Sequence, residues 1–139
     1  MRERSLFRDG VPTKFMLRLC LIFSGLAGSL GVACLALAAH ADAVSMPAKS
    51  SLLQTAAQML LAHAPVILGA GILTQIRRAP LVPVAVVLMA IGLSLFCGDL
   101  VLRVFVEERL FHMAAPIGGM SVILGWLVLA LSALRVQPN

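Results

Sequence analysis

Asp99 is the residue with the most chemistry to offer in this chain. It stands within an apolar run, and Arg103 follows four residues later, one helical turn on and on the same face, so the two can pair. Gln54 and Gln58 form a second couple at the same spacing in a different apolar run. If Arg18 and the Arg77–Arg78 pair mark one membrane boundary, a helical rise of about 1.5 Å per residue puts the midplane near Gly28, Val66, Ala90 and Ile123. On that scale Gln58 lies about 12 Å outward of the midplane, Asp99 about 13 Å, His40 and Gln54 about 18 Å and Arg103 about 19 Å. These five residues are the candidate outer polar cluster. A carboxylate near the hydrocarbon boundary has to be protonated, hydrated or paired. One reading is an interface pair with Arg103 snorkelling outward. The sharper one is a polar pit, formed with Gln54 and Gln58, that holds water, a lipid headgroup or a partner's side chain.

The remaining reactive types point to less. His63 lies about 180° around its helix from Gln54 and about 4–5 Å outward of the midplane, so it belongs to another face and reads as a neutral histidine hydrogen-bonded across helices. Bis-histidine haem needs two imidazoles at one depth, yet His40 and His63 differ by about 13 Å, and His112 sits at the wet edge. No C-x-x-C or H-E-x-x-H spacing occurs, so neither a metal nor a cofactor is expected. Glu107 and Glu108, with Arg109 beside them, read as a solvated loop rather than a catalytic pair. Cys20 and Cys34 are about 21 Å apart on one helix and cannot bridge. Cys34 and Cys97 fall at similar depth, where a bridge is conceivable, although buried cysteines ordinarily act as small hydrophobes. The inner half holds Ser24, Thr74, Gln75, Trp126 and Ser132 but no ionisable side chain short of the boundary, so a proton or ion path would stop halfway.

The elements that must position these residues follow from composition. Of 139 residues 60% are hydrophobic and 12% charged, with a mean hydropathy of +1.01. A soluble domain of this size cannot hide that much apolar surface. Four apolar runs, at about 19–39, 53–76, 81–102 and 113–134, are each of the roughly 20-residue length that crosses a bilayer as a helix. They predict an all-α integral membrane protein, an antiparallel four-transmembrane-helix bundle over residues 18–139 behind a basic tail at 1–17. The N-terminal residues up to and including Arg18, with residues 77, 78 and 135, supply eight of the eleven Lys/Arg, against three (Lys49, Arg103, Arg109) on the other side. That asymmetry predicts an inner-membrane protein with both termini cytoplasmic. A net charge of +5 would otherwise suggest nucleic acid, but the basic residues lie between membrane runs without interleaved aromatics. Ala39-His40-Ala41 after a basic start also reads as a signal-peptide cleavage site, although a run of about 21 apolar residues exceeds the usual 7–15.

Small residues line one face of the first run (Ser24, Gly28, Gly31, Ala38) and one face of the fourth (Ala114, Gly118, Ser121, Gly125, Ser132). Such stripes let backbones approach in lipid. Either these two helices pack on each other, the preferred expectation, or one stripe docks a partner. With no nucleophile–base pair or metal spacing at a common depth, the chain reads as a non-enzymatic structural or accessory subunit of a larger membrane complex. The alternative is a small-molecule or lipid binding or transport protein that uses the outer pit. The expected partners are membrane lipids and such a complex.

Three stretches resemble the family of small membrane proteins known as domain of unknown function 423, related to transmembrane protein 256. They are Gly28 to Ala41, ending Ala39-His40-Ala41; Leu53-Gln54-Thr55-Ala56 through Gln58 and His63; and Pro116-Ile117-Gly118-Gly119 through Gly125-Trp126. The resemblance spans all four runs and omits the basic tail. The chain departs from the family pattern at Met59, where tyrosine is usual, and at Cys97-Gly98-Asp99, where Ser-Gly-Ser is commoner. The resemblance implies the four-span membrane fold and carries no activity with it.

Overall fold

In the computed structural model, residues 13–41 and 46–138 are described. Four long helices, α1 (Thr13–His40), α2 (Pro47–Ile76), α3 (Val82–Phe105) and α4 (Ala114–Ser132), follow one another, and a single 3-10 turn (Ala133–Arg135) extends α4. All four are long and apolar enough to cross a membrane. A helix is what these runs must form in lipid, where every backbone N–H and C=O has to be satisfied within its own segment.

Helix ends depart from the apolar boundaries for local reasons. α1 begins at Thr13, so the end of the expected basic tail is already helical. α2 begins at Pro47, six residues before its apolar run, where a proline in the first turn supplies a preset φ and gives up an N–H that has no partner there anyway. At 28 and 30 residues, α1 and α2 are about 42 and 45 Å long and outreach a hydrocarbon core of about 30 Å. α2 stops at Ile76 because Arg77 turns extended. The strand β1 (Arg77–Arg78) then pairs antiparallel with β2 (Gln137–Pro138), Arg77 opposite Pro138 and Arg78 opposite Gln137. This two-residue ladder fastens the chain's last residues to the α2–α3 turn.

The packing is that of two hairpins. α1 lies along α2, α3 along α4, and the hairpins join through α2 and α3. The expected packing of α1 on α4 does not occur, because each small-residue stripe is used within its own hairpin. A Cβ on Gly31 would come within 2.7 Å of Leu61 Cγ in α2. One on Gly118 would fall 2.6 Å from the Phe96 backbone nitrogen and 2.7 Å from the Gly92 oxygen in α3, and one on Gly125 would fall 2.7 Å from Met89 Cγ. Gly28, expected in the same role, has nothing within 4 Å of that position. Its helix turns it away from the seam.

The core is made of small and medium residues: Leu53, Ile67, Val82, Met89 and Leu93 are fully enclosed among alanines of α2 and α3. Outward faces stay apolar, as Leu19, Ile22, Leu26 and Leu30 of α1 and Ile123, Leu127 and Leu131 of α4 show. Even the most enclosed span, in α3, is only 44% buried inside the protein. Lipid is the solvent for the rest.

Candidate functional site

At the end of the molecule away from the β1–β2 ladder, the last turns of α3 present Asp99 and Arg103. Asp99 is fully buried, with 0% of its surface exposed. Its Oδ2 accepts a charge-assisted hydrogen bond from Arg103 Nη2, and its Oδ1 accepts one from the Leu110 backbone N–H at 2.9 Å. Both carboxylate oxygens are thus engaged, one by a cation on the same helix and one by the loop that leads into α4. The Arg103 side chain keeps 25% of its surface exposed, while its Nε is buried without an acceptor among the described residues.

A second tie holds the same loop. α3 ends by its last backbone bond, Val106 N–H to Leu102 O at 2.8 Å, and Glu107 then takes a left-handed backbone conformation (φ 62°). That turn sends the Glu107 carboxylate back to Lys49 in the first turn of α2, Nζ to Oε1 at 2.7 Å. The Lys49 ammonium holds the Glu107 carboxyl below its ordinary range through that hydrogen bond and through charge. Close by, Ser50 Oγ donates to the Ala38 carbonyl at 3.1 Å, fastening α2 to the end of α1.

The five residues of the expected outer cluster do not all meet. Asp99 and Arg103 are paired. Gln54 is exposed on α2, where its amide donates to Ser50 Oγ at 3.2 Å, and Gln58 is exposed on the same face one turn further. His40 is exposed at the end of α1. The pit of Gln54, Gln58 and Asp99 is not assembled, because the two amides occupy the outward face of α2 while Asp99 turns inward beneath the α3–α4 loop. Equal depth placed these groups at one level and could not say on which side of the helix pair each would lie. The Leu110 amide and the Lys49–Glu107 tie were beyond sequence reasoning, since a backbone donor and a loop conformation leave no residue-type signal.

A further polar contact lies deeper. His63 is buried in α2, its Nδ1 2.7 Å from the Met59 carbonyl and its Nε2 3.0 Å from Trp126 Nε1 of α4. An indole N–H can only donate, so Nε2 accepts and the ring is the neutral tautomer with the proton on Nδ1, donating to Met59. The rings meet edge to face with centroids 5.7 Å apart. This hydrogen bond ties α2 directly to α4. The depth scale had put the two residues on opposite sides of the midplane, and the length of the indole spans the gap. Between α3 and α4, Ser121 Oγ donates to the Leu88 carbonyl at 2.8 Å.

Cys20, Cys34 and Cys97 are buried free thiols, and Cys97 Sγ lies 3.6 Å from the Ala56 carbonyl. Among the described residues no three His, Cys, Asp or Glu converge as metal ligands would. A shallow trough of 340 Å³ runs along α4 between Met113 and Leu124, lined almost wholly by apolar atoms of residues that face lipid. Its one hydroxyl, Ser121, is already committed to Leu88.

The comparisons agree with this architecture. A family model described as a protein of unknown function, DUF423, matches residues 34–119. The UPF0382 inner membrane protein YgdD of Escherichia coli strain K12 is 31% identical over 121 residues, covering 86% of this chain and 92% of that protein. The proteins of the same name from Escherichia coli O157:H7 and Shigella flexneri match to the same extent. No solved structure matches the chain. With its family segment running from the end of α1 into α4, and its similarity to YgdD covering most of both chains, this four-helix membrane protein belongs to the DUF423 family.

Proposed function

We propose that the chain is a non-catalytic structural or accessory subunit of a larger complex in the inner membrane, with both termini cytoplasmic. The observation that carries this reading is where the polar side chains are used. Asp99 holds Arg103 and the Leu110 amide, Lys49 holds Glu107, and His63 bridges Met59 and Trp126. Each of these groups is committed to keeping the chain's own helices and loop in place, as suits a scaffold. The apolar outer faces of α1 and α4 offer long lateral surfaces to neighbouring membrane helices. The inner-membrane location draws support from the name of the relatives, and the orientation from the excess of Lys/Arg at the α2–α3 turn and the termini.

The competing reading is a lipid or small-molecule binding or transport protein, and it draws on Arg103 Nε, a buried donor without an acceptor at the outer cluster. Purification in gentle detergent from native membranes, at native expression level, separates the two. Stoichiometric co-migration with a larger complex is the expected result. A lone chain that retains a small molecule, released by Asp99→Asn, would overturn the accessory role in favour of binding.

A further inference from the structure

The outward face of α2 is at odds with its surroundings. Ser51, Gln54, Gln58, Ala62, Pro65, Gly69 and Ile72 follow one another at helical spacing and are all exposed, α1 and α3 having taken the other sides of the helix. Gln58 lies eighteen residues, about 27 Å, from the Ile76 end of α2, within a hydrocarbon core of about 30 Å reckoned from that end. Its carboxamide makes no hydrogen bond among the described residues, whereas Gln54 at least reaches Ser50. Two turns inward, Pro65 has no N–H to give, so the carbonyl of Leu61, one turn from Gln58, lacks its i+4 donor. An amide without a partner and a carbonyl short of its i+4 donor therefore lie one turn apart on a lipid-facing helix. Such groups in hydrocarbon are costly and are ordinarily met by another helix. Beyond them Ala62 and Gly69 keep the surface low, and a Cβ at Gly69 would meet nothing within 4 Å.

We infer that this face of α2 is the contact between two copies of the chain, related by a two-fold axis along the membrane normal. Such an axis sets each residue opposite its own equivalent at equal depth. A carboxamide both donates and accepts, so Gln58 and its symmetry mate can close a reciprocal pair, with the second amide proton of each left for a Leu61 carbonyl. No residue of the face is ionisable, so nothing repels across the axis. An amide is self-complementary in a way that a carboxylate or an ammonium is not, and this is what singles out a second copy as the occupant. The inference goes beyond the accessory role: a dimer through α2 leaves the outer faces of α1 and α4 free for other subunits.

The test uses the purified full chain in vesicles of phosphatidylethanolamine and phosphatidylglycerol, with donor and acceptor dyes on separate copies. Energy transfer should follow a monomer–dimer curve as the lipid dilution is varied. Gln58→Leu, a substitution on an exposed face that leaves the core intact, should raise the dimer dissociation constant about 3- to 10-fold. Ala62→Cys should cross-link to a dimer on oxidation, while Val87→Cys, on the exposed face of α3, stays at the background set by the unmodified chain. Monomeric behaviour at all dilutions, which would leave lipid on the face, overturns the inference. So does equal cross-linking at the two positions, or an Ala62→Cys adduct formed only in native membranes with a chain of another size. None of these readouts depends on co-migration with a larger complex, so the two proposals can fail separately.

Discussion

Asp99 shows how one carboxylate can serve two elements, and its two bonds can be separated by substitution. Asparagine keeps the acceptor for the Leu110 N–H but removes the charge that Arg103 faces. Breaking a fully buried pair costs about 3–5 kcal/mol, and the partial exposure of Arg103 reduces that, so we expect a loss of about 1–3 kcal/mol for Asp99→Asn in a detergent unfolding titration. Asp99→Leu removes both bonds, and hydrogen exchange across residues 106–113 should rise well above that of the asparagine variant. Equal exchange in the two variants would mean that the Leu110 contact does not hold the loop. Glu107 is exposed and tests the second tie. Its carboxyl is held below the ordinary range, so the Lys49 contact is present above that range and is lost as pH falls through the lowered folded value. The protection of the loop amides, measured against the intrinsic exchange rate at each pH, should therefore fall in acid, and Lys49→Gln should abolish that acid-dependent difference while leaving the neutral fold intact.

At the scale of elements, the seams between helices depend on particular glycines rather than on smallness in general. Gly118 of α4 faces backbone atoms of α3 that no side-chain rotation can move, whereas Gly28 of α1 faces open space. Gly118→Ala should cost about 1–3 kcal/mol through overpacking, and Gly28→Ala should be neutral or gain up to about 1 kcal/mol from helix propensity. Thermal unfolding of the two variants side by side checks the contrast, and similar melting temperatures would contradict it. The link from α2 to α4 rests on His63 and Trp126. Trp126→Phe keeps a ring but removes the donor, leaving Nε2 without a partner. A double-mutant cycle with His63→Phe should return a coupling of about 0.6–1.7 kcal/mol, the range of hydrogen bonds between membrane helices. A coupling near zero would mean that the two rings merely touch.

At the scale of the whole molecule, the β1–β2 ladder and the even number of spans put the end of the chain, the α2–α3 turn and the start of α1 at one end. The ionic ties from Asp99 and Lys49 lie at the other. One end is closed by backbone pairing and the other by charge. Reporter fusions at Asn139 and within residues 44–51 should report opposite sides, with the former cytoplasmic. An external reading at Asn139 would reverse the orientation proposed from the charge asymmetry.

Composition and the length of the apolar runs were enough to establish four helices in lipid, since a bilayer leaves a continuous apolar run hardly any other backbone solution. The pairing of Asp99 with Arg103 was legible for a similarly local reason: four residues on one helix face are neighbours whatever the rest of the chain does. The neighbourhoods of Gln58 and Gly28 were not legible, because helices that are apolar all round carry no stripe to say which side turns inward. Only the tertiary packing decided that α1 seats on α2 and α4 on α3, that a backbone N–H eleven residues away completes the shell of Asp99, and that the glutamines face outward. Those outcomes depend on close approach between backbones at Gly118 and Gly31, a matter of shape between segments distant in the chain, which a pattern of residue types along one helix does not encode.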